Sequence, residues 1–183
     1  MVRLRINHVI ELRKNIIVFI LALMFSANAS ALDVNMRVEN IKSLGLSVEI
    51  PKQFTPLPEK LAKIKYPSKR RPQVIYGNES GTVSFGISKL KKPELVEIDE
   101  IKDNMLKIMK NLAPQASQVE VGGYKAWIIT FTSKALDTDI LNMQLYMLSD
   151  NNLIVATFNM TENNVNEYQS LAKKTLISIK PNG

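Results

Sequence analysis

Between Leu44 and Pro51 (LGLSVEIP) apolar side chains stand at every second position, at Leu46, Val48 and Ile50, and a proline ends the run. A period of two marks a strand with one face against a core, and proline cannot donate a further ladder bond. Residues 57–64 (LPEKLAKI) predict a helical turn or two. Residues 72–76 and 82–90 flank Gly77-Asn-Glu-Ser-Gly81 and predict a hairpin, with Val83, Phe85 and Ile87 sharing one face of its second arm. At 95–112 the period changes. Ile98, Ile101, Met105, Ile108 and Leu112 recur at helical spacing, with Asp99, Glu100, Lys102, Asp103, Lys107 and Lys110 opposite. Acids early and lysines late suit the helix dipole, Pro114 closes the element, and Met105 and Met109 read as core filler.

Residues 118–121 then lead through Gly122-Gly123 into 124–133 (YKAWIITFTS), the most strand-prone run of the chain. A meander continues through 139–149 and 153–160, joined by Asp150-Asn-Asn152, residue types that tolerate positive φ in tight hairpins. On 124–133 Ala126, Ile128 and Thr130 take one face and Trp127, Ile129 and Phe131 the other. Apolar residues on both faces predict that both are covered, with Trp127 in a core. Residues 161–180 predict an amphipathic helix with Val165, Tyr168, Ala172, Leu176 and Ile179 on its stripe, and Asn164 and Glu167 stand at capping-box spacing. The order is strand, short helix, hairpin, long helix, meander, helix. It predicts an α+β domain with a single antiparallel β-sheet flanked by helices, an α-β-α sandwich.

Composition changes the picture at the N-terminus. Arg3, Arg5, Arg13 and Lys14 precede an unbroken apolar run at 16–25 (IIVFILALMF), and small residues follow at 26–31. This is the three-part pattern of a secretory signal peptide, with cleavage expected after Ala31 and Ala29 the second choice. The apolar run falls short of the roughly 20 residues that span a bilayer; an uncleaved anchor is the alternative. No cysteine stands near the cleavage site to carry a lipid. The expected organisation is a signal peptide over 1–31 and one domain over 32–183, released into the periplasm. Cleavage takes 31 of 183 residues and leaves 152, enough to bury roughly two-thirds of the unfolded surface in one core. It also removes four of 24 basic and one of 17 acidic residues, leaving a net charge of +4. That excess is too small for an ordinary nucleic-acid binder.

The only histidine is His8, inside the expected presequence, and there is no cysteine. The mature chain therefore lacks the imidazole and thiol of Ser-His-Asp and Cys-His nucleophiles. It also lacks His- or Cys-based zinc sites and disulfides. Neither a metal nor a cofactor is expected.

The layout carries a resemblance. A strand ending in Glu49-Ile50-Pro51 comes first, then Tyr66-Pro67 before a basic loop, a Val74-Ile-Tyr-Gly-Asn78 hairpin arm and a long helix. Gly122-Gly-Tyr-Lys-Ala126, a Gly-x-x-Ala step, then opens a meander closed by a helix. From about residue 38 to 179 the chain resembles the PsbP-like superfamily, particularly its bacterial DcrB-type branch. The resemblance implies an α-β-α sandwich and a non-catalytic role, since members are accessory proteins that bind other proteins. These include extrinsic photosystem subunits, import factors, effector-associated chaperones and envelope lipoproteins. The superfamily shares no catalytic constellation, so no residue inherits a role. The missing lipidation cysteine departs from the DcrB type, and membrane attachment is not implied.

Catalytic carboxylates can act without histidine, but Asp99, Glu100 and Asp103 read as the solvated face of a helix, and Asp137 and Asp139 as a turn. Neither Asp137-Thr-Asp139 nor Asp150-Asn-Asn152 has the density and distal Glu of a calcium loop. No catalytic or metal-binding residue is therefore assigned. The main surface feature is KLAKIKYPSKRRPQVIY, which begins at Lys60. Lys60, Lys63, Lys65, Lys69, Arg70 and Arg71 hold six positive charges, so the rest of the mature chain sums to −2. Antiparallel pairing of the hairpin places Lys89, Lys91 and Lys92 at the same sheet end as Arg71. One reading is a solvated edge that discourages aggregation. The other is a partner site made by Lys65, Lys69, Arg70, Arg71, Lys89, Lys91 and Lys92. It would engage carboxylates of another envelope or periplasmic protein, or anionic lipid head groups. The expected function is an exported, non-enzymatic protein-binding accessory protein, either an adaptor or chaperone or an immunity-type inhibitor of a periplasmic toxin. The rival is a small hydrolase using Asp, Glu or Ser, which two carboxylates facing each other in a deep pocket would favour.

Overall fold

The computed structural model describes residues 36–68 and 71–182; the expected signal peptide, with its cleavage site, lies outside the described residues. The strands are β1 (Met36–Ile41), β2 (Leu46–Pro51), β3 (Thr55–Pro56), β4 (Val74–Gly77), β5 (Val83–Lys91), β6 (Gln115–Val121), β7 (Tyr124–Lys134), β8 (Asp139–Ser149), β9 (Asn152–Thr161) and β10 (Lys180–Pro181). The helices are α1 (Glu59–Lys65), α2 (Ile98–Ile108) and α3 (Val165–Ile177). The α+β class is as expected, but two sheets are present where one was expected. The larger has seven strands in the order β3-β4-β5-β9-β8-β7-β6, with antiparallel neighbours, and the smaller has the order β1-β2-β10. The small sheet escaped the local pattern because β10 is two residues long and pairs with β2 across most of the chain.

Alternation assigns the two faces of the large sheet. Val83, Phe85 and Ile87 of β5, Ala126 and Ile128 of β7, Leu145 and Met147 of β8, and Ile154, Ala156 and Phe158 of β9 are buried on one face. Against them pack Tyr168, Ala172 and Leu176 of α3 and Leu46, Val48 and Ile50 of β2. Phe54 fills the centre, its ring centroid 5.8 Å from Phe158 and 6.1 Å from Tyr168. Each fully buried Val, Leu, Ile, Phe or Met among them contributes about 1.5–3 kcal/mol by leaving water, so this inner core is a main source of stability. On the outer face Ile98 and Ile101 of α2 meet Ile129 and Tyr146, with Met105, Met109, Trp127 and Phe131 around them. Two covered faces account for the apolar character of β7. Met105 and Met109 fill space there, as expected.

Three details differ from the pattern. The helix expected over 95–112 begins at Ile98, because Leu95 holds φ 55°, and gives way to a 3-10 turn at Lys110–Leu112. α2 packs on β7 and β8, and its last turn leaves Ile108 72% exposed. The second helix is trimmed to α3 by a 3-10 turn at Glu162–Asn164. The Asn164–Glu167 capping box does not form. Asn164 is already in helical conformation, whereas a cap needs extended backbone, and its side chain donates to Thr161 Oγ1 at 2.7 Å. Between β6 and β7, Gly122 and Gly123 hold φ 58° and 85°, the doubly left-handed turn that joins twisted strands in two residues.

Candidate functional site: a groove on the outer face of the large sheet

α2 covers β7 and β8, while residues 66–68 and 71–73 lie against β5 through Tyr66, Pro72 and Gln73. Between these two covers lies a groove of about 600 Å³, within the roughly 300–1,000 Å³ of ligand sites generally. Its floor is made of alternate positions on three adjacent strands: Asn142 and Gln144 of β8, Val155, Thr157 and Asn159 of β9, and Ser88 and Leu90 of β5.

The wall is held in place by packing and by a polar chain. Pro72 lies so close to Gly86 that a Cβ there would stand 2.7 Å from Pro72 Cγ, so this approach requires glycine. Gln73 N–H donates to Ser88 Oγ at 3.2 Å, and Lys89 N–H donates to Gln73 Oε1 at 2.8 Å. Thr157 donates its hydroxyl to Asn159 Oδ1 at 2.7 Å, and Asn159 Nδ2 donates to the Tyr66 hydroxyl at 3.0 Å. That hydroxyl lies 3.0 Å from Ser84 Oγ. Burial pushes the Tyr66 phenol above its ordinary pKa, which keeps it neutral and able to donate.

The floor is equally fixed. Asn142 Nδ2 donates to Ser133 Oγ and the Ile140 carbonyl, both at 2.9 Å, and to the Phe131 carbonyl at 3.4 Å. The Tyr146 hydroxyl donates to Gln144 Oε1 at 2.6 Å, and burial pushes its pKa up to about 12. Two amides are thereby oriented. Asn142 keeps Oδ1 as an acceptor, and Gln144 keeps Nε2 as a donor, neither with a partner among the described residues.

Lys65 and Arg71 are the charged residues in the groove's described lining, which includes no Asp or Glu. The Lys65 ammonium donates to the Gly81 carbonyl, and desolvation lowers its pKa. Arg71 makes no ion pair among the described residues. Its charge reaches Glu59, whose carboxyl is held low chiefly by its hydrogen bond from Lys63. Of the residues expected to bind a partner, the structure brings Lys65 and Arg71 to this groove, and Lys69 and Arg70 lie outside the described residues. Lys89 turns to the opposite side, where its ammonium donates to the Leu44 carbonyl at 3.1 Å. Lys91 and Lys92 share a separate depression with Leu95 and Asn151.

Two of the carboxylates weighed from the sequence, Asp99 and Asp139, take structural places. Asp99 accepts from Lys125 Nζ and from the Trp127 indole N–H, each at 2.7 Å, and so clamps α2 to β7. Lys102 and Lys125 lie 4.9 and 5.8 Å from the Trp127 ring centroid, so the half-buried indole is held by cations as well as by the core. Asp139 pairs with Lys134 at 2.8 Å across the β7–β8 turn. Asn142, Gln144, Thr157 and Asn159 were not singled out by sequence reasoning. Their signal was present as polar residues at alternate positions of strands that are otherwise apolar on both faces.

No family model and no curated protein matches the sequence. Solved structures do match. The chain superposes on the cyanobacterial PsbP (CyanoP) of Synechocystis sp. PCC 6803 with a TM-score of 0.55 at 10% identity, covering 85% of this chain and 97% of that one. The fold is PsbP-like. The Ran-binding protein Mog1p of Saccharomyces cerevisiae shares it with a TM-score of 0.52 at 10% identity, covering 81% and 96%. A protein of Bacteroides thetaiotaomicron matches with a TM-score of 0.54 at 13% identity, over 79% of this chain and 48% of that one. The PsbP-like arrangement thus recurs where almost none of the side chains do.

Proposed function

We propose that the chain is an exported, non-enzymatic binding protein of the bacterial cell envelope, of DcrB type, serving as an adaptor or chaperone or as an immunity-type inhibitor of a periplasmic toxin. The observation that carries this reading is the outer groove, a preformed recess whose described lining holds two cations and no carboxylate. Such a surface suits an acidic partner, because complementary charge sets orientation and association rate. Two facing carboxylates, the arrangement that would favour the rival hydrolase, do not occur in its described lining. The shared fold agrees, since Mog1p is by its name a Ran-binding protein. The basic start, short apolar run and small residues of the first 31 positions support export.

Affinity capture from cell-envelope extract tests the proposal, run with the purified protein and with Arg71→Glu and Lys91→Glu/Lys92→Glu variants. Acidic partners are expected with the parent protein and are expected to be lost when Arg71 is reversed. An unaltered set of partners in every variant overturns the proposal. The mass of the exported protein reports on processing, with a chain beginning at Leu32 expected. A toxin gene next to this one would favour the inhibitor over the adaptor.

A further inference from the structure

Resting on that binding-protein reading, we propose that the groove takes an extended peptide segment of the partner, seating a carboxylate against Arg71 and reading the neighbouring backbone amides with Gln144 Nε2 and Asn142 Oδ1. Three observations carry it. Size comes first: about 600 Å³ accommodates a short stretch of chain. Charge comes second. Lys65 and Arg71 meet no acid in the described lining, and Arg71 makes no ion pair among the described residues. A guanidinium in that position is suited to a planar carboxylate.

The third observation is the spacing of the oriented amides. Asn142 is 92% buried, with its Nδ2 consumed by three acceptors, and Gln144 has its Oε1 consumed by the Tyr146 hydroxyl. The residual acceptor and donor sit two residues apart on one face of β8. That interval is about 6.6 Å along a strand, and an extended peptide presents its own N–H and C=O groups to one side at the same repeat. A compact ligand would have no reason to match this repeat. Tyr66 and Pro72 supply the apolar wall, held by Asn159, Ser84 and Gly86. The carboxylate can come from an Asp or Glu side chain or from a chain terminus, and the test separates the two.

A randomised hexapeptide library, prepared once with free and once with amidated C-termini, is selected against the purified protein. Enriched peptides are expected to carry Asp, Glu or a free terminus, and the two preparations show which. Their binding is expected to move the side-chain amide signals of Asn142 and Gln144 in ¹⁵N-detected NMR. It is also expected to weaken by about tenfold or more in Arg71→Glu and in Gln144→Leu, since each loses a hydrogen bond to a desolvated partner. Gln144→Glu keeps the volume and replaces the donor with a charge that repels the peptide, so it serves where the leucine variant fails to fold. Failure to enrich peptides, enrichment of peptides without a carboxylate, or insensitivity to both Gln144 variants overturns the inference. So does binding only to phosphatidylglycerol vesicles, which would make the groove a lipid contact. Enriched carboxylate peptides alongside an unchanged envelope capture would leave the groove reading standing and remove the proposed envelope role.

Discussion

Asp99 shows how a carboxylate on a solvated face can still hold an element in place. Its position on the polar stripe of α2 predicts solvent, and its side chain is half exposed beside lysines as expected, but it also joins Lys125 and the indole of Trp127. The Lys125 hydrogen bond first, and the Trp127 one after it, hold its carboxyl below the ordinary value of 3.8. A depressed folded pKa means that this anchor is fully present above the ordinary value and is lost as pH falls through the lowered one. The emission of the single tryptophan is expected to shift in acid below that value, and Asp99→Asn is expected to show the shifted emission already at neutral pH. Unchanged emission in the variant would remove the clamp. Tyr146 runs in the opposite direction. Unfolded, it ionises near 10.0, and burial keeps it neutral in the fold to about 12. Its contribution is intact below 10 and declines as pH rises through that window, at up to about 1.4 kcal/mol per pH unit. Denaturant titrations at pH 9 and 11 are expected to show a smaller loss for Tyr146→Phe than for the parent chain.

At the scale of elements, the strands and helices that make the inner core were legible because each carries its own apolar period. Val83, Phe85 and Ile87, or Tyr168, Ala172 and Leu176, are buried where alternation or helical spacing puts them. β1 was not legible: as an edge of the small sheet it leaves Val38 62% exposed, so its apolar residues mark no face. The groove was half legible. Asn142, Gln144, Thr157 and Asn159 alternate as an outward face should, but only the fold-back seen at residues 66–68 and 71–73 makes that face a floor, and no local pattern encodes that contact. Gly86 is the residue on which the fold-back rests. Gly86→Ala is expected to force Pro72 outward at a cost of about 1–3 kcal/mol, the usual range for overpacking. Hydrogen exchange is expected to quicken at Gln73 and Lys89, whose amides bond across this seam. Unchanged exchange there would show that the loop is held by something other than the Pro72–Gly86 contact.

For the molecule as a whole, the two sheets and α3 share one interior, and their agreement makes 10% identity to CyanoP sufficient for a common architecture. Such a distance carries the fold alone, so the charge and amide pattern of the groove is read from the residues of this chain. Removing residues 180–183 is expected to expose the β2 edge and to raise protease sensitivity within 46–51; equal resistance would show β10 to be dispensable. That two-residue strand also imposes an order of events. Ser47 and Lys180 are register partners, and Asn182 N–H donates to the Gly45 carbonyl at 2.9 Å. Because β10 follows every other described element in the chain, β2 can gain this partner only after the rest of the described fold has been synthesised. The small sheet is thus the layer completed last along the sequence.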